Sequence, residues 1–267
     1  MDSGNLQSFA EAMSQKLRRE VSAAYHVIDN QRILPRCFRP WTRKNAYASL
    51  APMRVDHLVW YCADLAEGER YFAERMDHGS AYGGVHPGEG TRNRLLSLSD
   101  TTYVEILGRD PAQPETSLAV EVRGLKGFGL YHWAIGGVDL AGLRQQAMAA
   151  GLTGSDLVSG GRKLPDGSWL GWTCFGIHGH GFGALVPFFI DWGDSSHPAK
   201  TAPRGGSLGA IAVASPAARE LREIYRNLGL DIPVHEAPSP GLSVTLENTK
   251  GSHVLSMFSP VPRGYVI

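Results

Sequence analysis

Three side chains in this sequence have the types and spacing to act together: His57, Glu105 and His132. His57 lies in Val55-Asp56-His57-Leu58-Val59-Trp60 and His132 in Leu130-Tyr131-His132-Trp133-Ala134-Ile135, both rich in β-branched and aromatic residues and therefore read as strands. Glu105 interrupts the apolar run Tyr103-Val104-Glu105-Ile106-Leu107. Alternation along a strand puts Tyr103, Glu105 and Leu107 on one face and Val104 and Ile106 on the other. A carboxylate in so apolar a strand is unfavourable unless something compensates its charge. Two imidazoles and a carboxylate that converge make a facial site for Fe(II), Mn(II), Ni(II) or Zn(II), with coordination positions left open. Such a cation polarises a chelated carbonyl or activates bound oxygen or water. Each residue also has a plainer reading. A strand histidine is commonly a hydrogen-bonded structural residue, and Glu105 could face water from a half-exposed strand.

Other residues could shape a binding site around these three. Trp133, Trp172, Phe188 and Phe189 could form an apolar wall, although strand aromatics are more often plain core. Arg109 follows the Glu105 strand and could clamp a carboxylate, or make a surface ion pair. In Gly176-Ile177-His178-Gly179-His180-Gly181 two histidines share an i, i+2 spacing and offer a rival metal site. The glycines around them favour a loop at a pocket mouth, where His180 could contact substrate or move a proton. The stretch 163–167 reads as a hairpin turn.

The elements that must position these residues repeat. The segments beginning at Val55, Leu130 and Ser207 superpose as strand-then-helix starts, with 75 positions from His57 to His132 and 77 from His132 to Gly209. The pattern predicts strand 55–62, helix 65–76 and strands 80–85, 94–98 and 103–107 in the first repeat. Helices are predicted over 140–150 and 216–228, and closing strands over 184–191 and 252–258. Ser215 is the expected N-cap of the last helix, Pro216 its first residue and Gly229 its C-cap. The expected fold is α+β. Repeated βαβββ modules form a cupped half-barrel sheet, since one such sheet alone cannot bury its concave face. The modules span 53–110 and 128–192 within a domain of 53–200, and a third module covers 205–260.

Before these modules, Leu6, Phe9, Met13, Leu17, Val21, Tyr25 and Ile28 mark an amphipathic helix, followed by a basic segment to residue 52. Met53 stands where a second possible start would fall. The 26 basic and 26 acidic residues balance, so no general attraction to nucleic acid is expected. No apolar run reaches membrane-spanning length. Cys37, Cys62 and Cys174 form no C-x-x-C pair, which suits free thiols and a cytoplasmic protein.

The segments Asp56-His57-Leu58-Val59, Tyr103-Val104-Glu105-Ile106-Leu107, His132-Trp133-Ala134-Ile135 and Pro187-Phe188-Phe189-Ile190-Asp191-Trp192 resemble the glyoxalase-like branch of the vicinal oxygen chelate superfamily. The resemblance spans roughly residues 53–260. It implies paired βαβββ modules and a divalent metal in the cup, held by His57, Glu105 and His132. The fourth position of the family pattern falls near Pro187 or Phe188, where glyoxalase I carries a glutamate, so glyoxalase I activity itself is not expected. Two readings follow from the resemblance. One is a metal-dependent enzyme, a lyase or isomerase or else a dioxygenase, acting on a small substrate that chelates through adjacent oxygens. The other is a metal-free ligand-binding or resistance-type module. The third module would then serve as a wall or pair two chains into a homodimer.

Overall fold

In the computed structural model, residues 53–257 are described, apart from Lys126, Pro165 and the side chains of Ser117 and Arg123. The expected N-terminal helix, the basic segment and Cys37 lie outside these residues. The chain runs β1 (Arg54–Cys62), α1 (Leu65–Arg75), β2 (Ala81–His86), β3 (Thr91–Ser99), β4 (Thr102–Arg109) and α2 (Ser117–Gly124). It continues with β5 (Phe128–Gly136), α3 (Leu140–Ala149), β6 (Thr153–Gly154), β7 (Val158–Lys163), β8 (Trp169–Phe175), β9 (Ile177–His178) and β10 (Phe188–Asp191). The last unit is β11 (Ser207–Ser215), α4 (Ala218–Leu228), β12 (Val234–Glu236), β13 (Gly241–Asn248) and β14 (Gly251–Met257).

Local chemistry explains the helix starts. Asp64 accepts the Ala66 N–H and Asp139 accepts those of Ala141 and Gly142, so α1 and α3 begin with otherwise orphaned donors satisfied. The α4 start departs from the sequence expectation. That helix begins at Ala218 after an uncapped Ala217, and the Ser215 hydroxyl instead accepts the Ala217 N–H in the preceding turn. Gly229 ends α4 with φ +71°, a left-handed conformation that glycine adopts without strain.

Eight strands form one sheet in the order β2-β3-β4-β1-β5-β10-β8-β7. The first two modules share one plan. In each, the first strand pairs parallel with the last: β1 with β4, and β5 with β10. They join antiparallel through β1 and β5. The outer strands β2 and β7 come back into contact, so the sheet curls almost closed. The third unit has the same βαβββ order but a different pairing, in a separate sheet ordered β12-β11-β13-β14. There the first strand runs parallel to the second strand, β12, rather than to the last.

The sheet has two unlike faces. Leu58, Trp60, Val104, Ile106, Trp133 and Phe189 join α1, α3 and the third unit in one large apolar cluster. Val59, Leu107, Ala134, Phe188 and Ile190 form a smaller cluster on the concave face. The linker helix α2 packs Val122 into that concave cluster. Two bulges in the β1–β5 pairing, with Asp56 and Tyr131 as the extra residues, interrupt strict alternation on either side of the central seam.

Candidate functional site

The polar groups of the concave face collect around the first module. His57 faces Tyr103 across the β1–β4 ladder, and Glu105 faces Val59 one row further along. Glu105 is buried, which removes the solvent-facing alternative raised by the sequence. Its Oε1 accepts the Asn93 amide at 2.7 Å and lies 3.3 Å from His86 Nε2. Its Oε2 lies 3.8 Å from His57 Nε2. Burial alone would raise the Glu105 pKa, but the hydrogen bond and charge of His86, the charge of His57 and the Asn93 bond bring it down to about 2. His86 moves the opposite way. Burial lowers its pKa, yet the Glu105 carboxylate raises it more, so the cation is favoured there.

His57 is fixed from behind. Its Nδ1 lies 2.8 Å from Asp56 Oδ1. Asp56 also accepts the Trp192 indole N–H at 3.2 Å and bonds His197 Nε2 at 3.1 Å. His197 Nδ1 accepts the Ala199 N–H, so its proton sits on Nε2 and is donated to Asp56. Against the upward push of burial, the bonds from His197 and His57 bring Asp56 down to about 2. An ionised Asp56 holds Nδ1 as the donor and turns Nε2 toward Glu105. Tyr103 stacks on the other side of the imidazole, 4.8 Å between centroids.

His132 comes from the second module, beside Val59 and hence on the same face as Glu105. Burial above all, with the nearby His57 and His180, lowers its pKa to about 3 and keeps it neutral. Its Nδ1 accepts the Trp133 N–H at 2.9 Å and is 3.1 Å from the Trp133 carbonyl oxygen. Phe188 lies edge-on to both histidines, 5.4 Å from His57 and 5.1 Å from His132. Since Val59 pairs with Glu105 and Ala134 with Phe188, Phe188 holds in the second module the place that Glu105 holds in the first.

Residues 55–229 match the family described as Glyoxalase-like domain. The chain belongs to this glyoxalase-like family of the vicinal oxygen chelate superfamily. No curated protein matches it. A hypothetical protein from Staphylococcus aureus superposes on the glyoxalase-like chain with TM-score 0.56 at 16% identity, over 76% of this chain and 85% of that one. A mutant 4-hydroxymandelate synthase from Streptomyces coelicolor matches at 18% identity and TM-score 0.46, over 77% and 62%. A methylmalonyl-CoA epimerase from Mycobacterium tuberculosis matches at 16% and 0.36, over 55% and 91%. The first is a likeness of fold, and the other two are too partial to bear on chemistry.

The remaining expected site residues of this glyoxalase-like domain are dispersed. Trp133 is buried on the opposite face, its indole N–H donated to the Ala184 carbonyl. Trp172 packs beside the concave cluster, 6.0 Å from Trp192. Arg109 is ion-paired with Glu115 at 3.4 Å. His180 spends both ring nitrogens within its own loop, on the Ile177 carbonyl and the Phe182 N–H. That leaves it a loop staple rather than a ligand. Among the described residues, no set of three or more His, Cys, Asp or Glu side chains converges to hold a metal as it stands. Asp56, His86, Asn93 and His197 had been assigned no role from sequence. Of these, Asp56 carried a signal: it is an acidic residue directly before the strand histidine.

Proposed function

We propose that this glyoxalase-like protein is an enzyme acting on a small, oxygen-bearing substrate at the concave face, with His57, Glu105 and His132 as ligands of a divalent Fe, Mn, Ni or Zn ion. One observation carries the reading: the Asp56-anchored His57 presents its Nε2 3.8 Å from Glu105 Oε2. Two electron-pair donors face each other in a buried site, an unfavourable arrangement unless a cation or proton lies between them. The donor types fit the metal. Asp56 acts as the outer carboxylate that orients a ligating imidazole. To ligate through Nε2, His132 has to carry its proton on Nδ1, turning that atom from the Trp133 N–H it accepts at 2.9 Å to the Trp133 carbonyl at 3.1 Å. The three donors do not converge as they stand, so His132 has to close on the pair.

A bound cation supplies Lewis-acid polarisation of the substrate's oxygens, or a place for dioxygen beside them. The chain's own groups do the rest. His86 holds a proton against Glu105, Asp56 fixes the His57 tautomer, and Val122, Phe188 and Ile190 keep the face dry. Phe188, standing where the family pattern has a fourth ligand, argues against glyoxalase I chemistry. It also favours the second reading, a metal-free site in which the Asp56–His57 pair binds or deprotonates a ligand directly.

Elemental analysis of protein purified without chelator separates the two. The enzyme reading expects about one divalent ion per chain, lost in a His57→Ala/His132→Ala variant. No metal after reconstitution with each of the four ions sinks it and leaves the metal-free site.

A further inference from the structure

Arg162 lies on β7 in register with Leu170, while Gly160 two positions earlier pairs with Trp172. Paired residues share a sheet face, and Trp172 packs on the concave cluster, so Arg162 projects over the concave side. Its guanidinium reaches across to the other edge strand. A Cβ on Gly84 of β2 would fall 1.6 Å from Arg162 Nη1. Gly84 has φ +144°, so glycine is needed there for its conformation as well as for the space the guanidinium fills.

Only 7% of Arg162 is exposed, and among the described residues its side chain makes no hydrogen bond or ion pair, while none of its nitrogens is sealed off without a partner. That leaves its five N–H donors to whatever enters the cup. Burial lowers its pKa, opposed by the charge of Glu105 and then by Tyr103 and Tyr82. Glu105 is near enough to act on it through space, yet its own contacts are with Asn93, His86 and His57. The cation is thus held over the same face as the His57–Glu105 pair, with its donors unspent.

We infer that Arg162 binds the carboxylate of the substrate, which makes the substrate a small organic acid. The inference rests on the reading that the concave face is the substrate site. A planar carboxylate matches the guanidinium fork with two parallel hydrogen bonds. The ionised Glu105 nearby repels a phosphate dianion more strongly than a carboxylate monoanion.

The test uses the full chain with chelator present, so that it does not depend on metal. Thermal unfolding and calorimetry are run with pyruvate and lactate, against methyl pyruvate and inorganic phosphate. Wild-type protein is stabilised by pyruvate or lactate and not by the ester. Arg162→Met still unfolds cooperatively without ligand and binds pyruvate about tenfold to a hundredfold more weakly. An undiminished pyruvate response in Arg162→Met, a phosphate or ester response equal to that of pyruvate, or no wild-type response to either acid overturns the assignment. Chelator is present throughout, so a failed metal assay leaves this result standing, and the reverse holds too.

Discussion

The first two modules are built alike and used differently. Each opens on a strand bearing a histidine, and each closes on a strand paired parallel to the first. In the first module, the residue before the histidine is Asp56, gripped by His57, Trp192 and His197, and the closing strand offers Glu105. In the second, the equivalent residues are Tyr131, whose hydroxyl faces Glu121 of α2, and Phe188. A repeated scaffold therefore holds charge in one half and apolar wall in the other. The bulges make this possible. Asp56 and Tyr131 are the extra residues on their strands, so each stays beside its histidine without shifting the rest of the ladder off register. The third unit, whose first strand carries Gly209 at the corresponding place, has left the plan altogether in its pairing.

Breaking the charged half should cost the most. Asp56→Ala leaves three donors without their acceptor, two of them buried, and the expected loss is about 3–5 kcal/mol of stability. The matched change in the other half, Tyr131→Phe, removes one hydroxyl and should cost about 1 kcal/mol. Urea unfolding of both variants measures the contrast. Equal losses would mean that the anchoring of His57 is no more important than a wall contact.

Converting the wall into its counterpart is the next test. Phe188→Glu gives the second module the carboxylate that the first already has. Metal-free, the variant should lose about 2–4 kcal/mol, from lost apolar burial and a new buried charge. Affinity for Zn(II) or Mn(II) should rise at least about tenfold as a fourth donor joins the face. Phe188→Leu, which keeps the apolar volume, should change neither property by much. A Phe188→Glu protein with unaltered metal affinity would show that the face does not assemble around a cation.

These contrasts mark what the sequence disclosed. The repeat, its strand starts and the sidedness of Glu105 were legible, because period-two alternation and a 75-residue recurrence are written in residue order. The partnership of Asp56 with His197 was not, since 141 positions separate them and only the turn after β10 brings them together. Trp133, expected in the apolar wall, lies on the helix side, as alternation from His132 to the very next residue requires. Arg162 gave no signal because its significance lies in contact with the opposite edge of a sheet that closes on itself.

The halves should also separate by pH alone. For metal-free protein, His132 has its pKa lowered from 6.5 to about 3 by burial. Its neutral form is favoured on folding, so its contribution is complete above 6.5 and is lost as pH falls toward 3. The Asp56 and Glu105 carboxylates, lowered from 3.8 and 4.5 to about 2, hold their contribution until pH drops below those ordinary values. His86, raised by Glu105, favours the lower pH and weakens only as pH climbs through its raised pKa. Between pH 6.5 and 4.5 the second module should therefore loosen while the first does not, at up to about 1.4 kcal/mol per pH unit for His132. His180, also lowered by burial, adds in the same direction. Urea unfolding at pH 7, 6 and 5 in chelator measures the slope, and His132→Gln should flatten it, leaving the His180 part. A wild-type slope of zero in that window would mean that His132 takes its proton in place, and that the second half is less dry than its apolar wall implies.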